Sequence, residues 1–344
     1  MQKDRKVWID ILNIIACMGV LLLHSTNGEV HNFTGEITCN WLVGLLTHSF
    51  FLWPVNVFFM ISGYTLLAKN VKWGGYFNKR IKRIGIPILF WTTMATLFRL
   101  LVELKKGISF TEIDWSDKFL DLILLKSNSY MWFFYPLIII YITIPFFNVF
   151  VQNADKTLHK LFLKLGFILV AILPITLKFV EIKGLDVFFP MGADYLYMCF
   201  AGYYFGNYDL SSKNRRILYI IGLLSACLIC VYTCIMTLNN PQYYRLFINY
   251  TFFPCTLTSW AVFVFVKNID WNKKLAYIGN LLNYLPYIAS LSLGIYLVQY
   301  FVLCFFAKVS ILESYSLLKF LVTYIFCILG VAVLKKIPFI NKTI

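Results

Sequence analysis

The chain contains about ten apolar blocks, most close to twenty residues long, with short polar segments between them. They lie near 7–24, 42–68, 84–102, 131–150, 161–180, 188–206, 217–237, 249–266, 286–306 and 317–334. A helix of about twenty apolar residues spans the roughly 30 Å hydrocarbon core of a bilayer. Inside that core the backbone must satisfy its own hydrogen bonds, which leaves helices or closed barrels. Barrel strands alternate apolar and polar residues over about ten positions, whereas these blocks are continuous, so helices are selected. Composition agrees: 60% of residues are hydrophobic and 14% charged, against roughly 45–50% and 25% in a soluble domain. The expected fold is all-α, a polytopic transmembrane helical bundle of about ten helices, with residues 1–344 forming one integral-membrane domain. The second block is overlong and interrupted by His48, Pro54 and Asn56, which predicts a kink or a re-entrant piece. The sixth is short and carries Asp194.

The net charge of +15 follows from topology. With the N-terminus inside, the inner segments hold twenty of the thirty-one Lys and Arg residues and the outer loops seven. That asymmetry is the positive-inside rule, and it places both termini in the cytoplasm of a cell-membrane protein. A nucleic-acid binder would need a basic face on a soluble module, and no segment supplies one. The first block carries Asp10 and Asn13 and has no small-residue cleavage site after His24, so a retained span is expected rather than a signal peptide. The outer segment 103–130 holds five acids and four bases and is expected to form a small structured cap. Among nine cysteines, Cys227, Cys230 and Cys234 share one helical face, yet no histidine is near them in sequence. Cysteine is an ordinary small apolar residue in such helices, so no metal site is expected. Cys39 is the one outer-loop candidate for oxidation.

Polar residues inside the spans carry more information, because each costs free energy unless it faces the bundle interior or a water-filled path. Asn13 and His24 are eleven residues apart, which brings them within about 20° of one line on a helix and about 16 Å apart along its axis. Asp10 and Cys17 lie within about 40° of that line. One face of the first helix is thus polar from its inner side to His24 near its outer end. Such residues serve either as hydrogen-bonding glue between helices or as a functional track. The inner segment Tyr76–Pro87 contains Arg80 and Arg83, three apart and hence on one side of a helix. Two guanidinium groups so placed can clamp a phosphate bidentately; the plainer alternative is a positive-inside anchor.

Several of these motifs, in order, resemble acyltransferase family 3. They are Trp8-Ile9-Asp10-Ile11-Leu12-Asn13 leading to His24, then Asn56-Val57-Phe58-Phe59-Met60-Ile61-Ser62-Gly63-Tyr64, then Arg80 and Arg83 with Pro87. Met131-Trp132-Phe133-Phe134-Tyr135-Pro136-Leu137 and Ser292-Leu293-Gly294-Ile295-Tyr296-Leu297 follow. The resemblance runs over nearly the whole chain. It implies transfer of an acyl group, usually acetyl from acetyl-CoA as donor substrate, onto a hydroxyl or amine of a surface glycan or lipid-linked sugar. It implies His24 as the catalytic residue and Arg80 with Arg83 as donor binders. Asn13 stands where the family often has arginine, and Gln299 where it often has histidine. An amide at 13 can donate to a carbonyl or line the acyl path, and it lacks an arginine's charged contacts. Asp10, Ser62, Tyr64, Trp132 and Gln299 are candidate site-lining residues.

The chemistry fits the residues. Acyl transfer from a thioester to a hydroxyl needs a base near neutrality, and histidine has the ordinary pKa for it. No bound cofactor is required. The expected partners are acetyl-CoA, a surface polysaccharide or lipid-linked sugar for O-acetylation, and the bilayer. Two other functions remain compatible with the pattern: a transporter or flippase of lipid-linked sugars, and a non-catalytic membrane sensor or scaffold.

Overall fold

In a computed structural model, residues 6–68, 74–180, 192–240 and 242–344 are described. Lys3, Arg5, Lys69, Lys72 and Lys183, and the start of the sixth apolar block, lie outside the described residues. Among the described residues every regular element is a helix. The principal ones are α1 Val7–Ser25, α2 Cys39–Phe50, α3 Pro54–Leu67, α4 Tyr76–Lys105, α5 Ser129–Asn153 and α6 Lys156–Val180. They continue as α7 Ala193–Asn207, α8 Ser212–Leu238, α9 Phe253–Lys267, α10 Ser292–Phe306 and α11 Ser316–Leu334. The chain is an all-α polytopic membrane protein.

Each of the ten apolar blocks appears as helix, wholly or in part, among the described residues. Among the described residues, seven helices are long and apolar enough to cross a membrane, with α2 and α3 taken as one broken span. The count reaches eight if Leu282–Ser290 and α10, bent by 56°, form one span. Helices α7 and α9 have 15 residues each, which is about 22 Å and short of the hydrocarbon core. For α9 the cause is local, since Pro254 in its first turn opens the helix and leaves 249–252 outside it. The kink expected in the second block falls at 51–53, with Pro54 starting α3, where its missing N–H costs nothing.

Helix α1 sits at the centre of the bundle, against α3, α9, α10 and α11. Leu12, Ala16 and Leu21 are fully buried there. Outward-facing apolar side chains such as Leu89, Phe146, Ile220 and Leu329 are more than half exposed, as a lipid-solvated surface requires. Helices α3 and α7 pack backbone to backbone. A Cβ at Gly63 would lie 1.8 Å from the Cys199 carbonyl oxygen, and one at Gly202 would lie 2.0 Å from that of Met60. Apolar side chains gain little from association within lipid, so such close glycine packing is a main source of attraction between helices.

Between α4 and α5 the chain forms a short helix, Trp115–Ile123, whose first turn is capped by the Asp114 carboxylate. Arg99 and Lys118 tie it to α4 through Asp121 at 3.0 Å and Glu103 at 2.6 Å. That is the structured cap expected for 103–130.

Candidate functional site: a cavity along the first helix

A cavity of about 960 Å³ runs beside α1 and is lined by Lys6, Ile9, Asp10, Asn13, Val20, Leu23 and His24 of that segment. These positions recur every three to four residues, or about every seven, so they form one stripe of the helix. The polar face read from the sequence is therefore the wall of an internal space. Eighteen residues separate Lys6 from His24, about 27 Å along the axis.

One end of the cavity is cationic. Arg80 and Arg83 both line it together with Lys6. They stand where α4 carries a π-helical turn, Ile81–Gly85, between two α-helical stretches. The Arg80 guanidinium lies 5.2 Å from the ring centroid of Tyr76 and 5.0 Å from that of Tyr141, and its Nε is buried without a partner among the described residues. Each such contact is worth about 0.5–2 kcal/mol and holds the charged group in place. Lys6 lies over the Tyr64 ring at 5.6 Å. Lys335 donates to the Ser290 carbonyl and hydroxyl, both at 2.9 Å, and Ser290 also lines the cavity. Partial burial lowers the Lys335 pKa below the usual lysine value.

The other end is aromatic and holds His24, in the last turn of α1. The imidazole stacks on Tyr130, with ring centroids 3.8 Å apart and planes 27° from parallel. Trp132 stacks on Tyr250 at 5.3 Å, and both line the cavity with Phe133 and Tyr296. Buried Asn56 fixes the Tyr250 segment by donating to the Tyr250 carbonyl at 2.5 Å and to Ser259 Oγ at 3.1 Å. The structure thus brings Asp10, Asn13, His24, Ser62, Arg80, Arg83 and Trp132 to one space. Asn13 turns one amide donor back to its own helix, onto the Ile9 carbonyl at 3.1 Å. Ser62 does the same with Phe58 at 3.0 Å.

Two of the residues singled out in the sequence lie elsewhere. Tyr64 packs on Trp8, 5.2 Å between ring centroids, and against Gly206. It is two residues from Ser62, a rotation of about 200°, so the two cannot share a face of α3. Gln299 is 1% exposed, with its Nε2 unpartnered among the described residues. It lies one turn past Tyr296, the last residue of α10 that reaches the cavity. Tyr141 and Tyr250, which line the cavity, and Tyr130, which stacks on His24, carry no mark in the sequence, because a tyrosine in an aromatic-rich span gives no local sign of what it faces. Among the described residues no group of three or more His, Cys, Asp or Glu side chains could hold a metal ion.

No curated protein and no solved structure matches the chain. The model of acyltransferase family 3, described as an acyltransferase domain, matches residues 6–335. That stretch takes in every helix lining the cavity, from α1 to α10. The chain belongs to acyltransferase family 3 and is an acyltransferase.

Proposed function

We propose that this protein transfers an acetyl group from acetyl-CoA to a hydroxyl of a cell-surface or lipid-linked glycan, with His24 as general base. The observation that carries this reading is the continuity of one cavity from Arg80 and Arg83 to His24. The basic-residue distribution puts the arginines at the cytoplasmic face, where acetyl-CoA is made available, and His24 toward the outer face, with both termini inside. The nucleotide phosphates would rest at the cationic end, on the planar fork of Arg80 with Arg83 and Lys6 beside it. The pantetheine arm, a long and largely uncharged chain, would extend along the α1 stripe and deliver the thioester to the aromatic end.

There the acceptor oxygen attacks the thioester carbonyl carbon while a His24 ring nitrogen takes the hydroxyl proton. The tetrahedral intermediate then collapses, the C–S bond breaks, and the proton passes from the imidazolium to the departing CoA thiolate. The ester product and free CoA leave, and the imidazole is neutral again. A positioned base of this kind is worth about 10²–10⁴ in rate. Surface polysaccharide is the acceptor class favoured, because donor and base lie at opposite ends of a membrane-embedded path.

The test is to delete the protein and follow the O-acetyl signals of the surface glycans by NMR. Loss of those signals, restored by the wild-type chain and not by His24→Ala, is the expected result. Unchanged O-acetylation would overturn the reading.

A further inference from the structure

Tyr130 is held more firmly than a residue that merely fills space at the start of a helix. Its backbone N–H donates to the Asn128 side chain at 2.9 Å, and Asn128 is 1% exposed. Its carbonyl accepts a hydrogen bond from the Tyr296 hydroxyl. Its ring meets Tyr300 edge-on at 6.0 Å and lies face-on against His24. Three segments thus converge on one tyrosine, whose ring lies on the imidazole and outside the cavity lining. His24 stands in the last turn of α1, and the Tyr130 ring covers one face of its imidazole.

We infer that Tyr130 is a positioning residue: its ring fixes the plane of the His24 imidazole so that a ring nitrogen stays turned to the cavity. The Tyr296 hydroxyl secures it by holding the Tyr130 backbone. The inference rests on the general-base reading of His24. A base displaced by about 1 Å can lose about a hundredfold in rate while substrate binding is untouched. The stack needs a flat ring and not a phenol, so Tyr130→Phe should serve almost as well as tyrosine.

The experiment measures acetyl incorporation from labelled acetyl-CoA into the polysaccharide of membranes carrying the full chain, normalised to protein level. Tyr130→Phe should keep near wild-type kcat. Tyr130→Leu should lower kcat about ten- to a hundredfold, with KM for acetyl-CoA within about twofold of wild type. Wild-type kcat in Tyr130→Leu, or equal loss in the Phe and Leu variants, would overturn the inference. If Tyr130→Leu does not accumulate, Tyr296→Phe decides: a lower kcat at unchanged KM supports the clamp, and an unchanged kcat refutes it. His24→Ala is run beside them. An active His24→Ala overturns the base and the clamp together, whereas an inactive one with a fully active Tyr130→Leu overturns the clamp alone.

Discussion

Arg80 and Tyr141 meet across the cationic end of the cavity, guanidinium over ring at 5.0 Å. The contact links α4 to α5 and orients a charge whose Nε is already buried. A phosphate arriving there finds the fork in place and need not order a flexible side chain. Arg80→Ala should therefore raise KM for acetyl-CoA about tenfold or more, and Arg80→Lys should rescue poorly because it lacks the planar fork. Tyr141→Leu should raise KM by a smaller factor, in line with about 0.5–2 kcal/mol for the lost ring contact. Arg83 is exposed and should matter less than Arg80. Initial-rate kinetics in membranes check all four variants. Wild-type KM in both Arg80→Ala and Arg83→Ala would reduce the pair to a topology signal.

His24→Ala should insert and accumulate normally, since it stands at the end of its helix and is only half-buried. Transfer should fall by about two to four orders of magnitude. His24→Gln should fail similarly, because an amide cannot take the hydroxyl proton. His48 is not a neutral comparison: it is buried, its Nε2 has no partner among the described residues, and it lies close to the Leu23 backbone, next to His24 in the chain. His48→Ala should thus show a partial loss. His159 bonds Tyr208 and Val151 away from the cavity, so His159→Ala should keep its specific activity. Full activity in His24→Ala refutes the mechanism.

The α3–α7 contact offers a test of packing. Gly63→Ala and Gly202→Ala each drive a methyl into the opposing backbone, and overpacking of that kind costs about 1–3 kcal/mol. Both variants should melt earlier in detergent and accumulate less. Gly28→Ala adds its methyl to open space and should be silent. Equal stability in all three would mean that α3 and α7 do not touch as described.

Orientation can be read from a native side chain. Cys39 is exposed at the start of α2, one short connection beyond the His24 end of α1. A membrane-impermeant maleimide should label intact cells at Cys39, and Cys39→Ser should abolish the labelling. A cysteine placed at Lys79, on the exposed approach to Arg80, should react only after permeabilisation. The reverse pattern would invert the topology and remove Arg80 from the cytoplasmic donor.

Much of this was legible from residue order alone. Asp10, Asn13 and His24 were placed on one face of one helix by the 100° step, and that face lines the cavity. Arg80 and Arg83 were paired by their spacing and line the same space. Helix lengths were less legible, because hydropathy gives no sign that α7 and α9 are only 15 residues long. Tyr64 does not line the cavity and Tyr130 carries no mark in the sequence for a related reason: a motif marks a segment without saying which of its faces meets which neighbour.

Local chemistry therefore determined the class of molecule, its helices and the polar track of α1, since apolar length and helical period act within a single segment. Only the tertiary structure decided that the track borders a cavity joining Arg80 to His24, and that Tyr130 and Tyr296 stand around the histidine. Those relations join residues as far apart as 24 and 296 in the chain. They arise from how whole helices settle against one another, through contacts such as Gly63 on Cys199, and no window of sequence contains them.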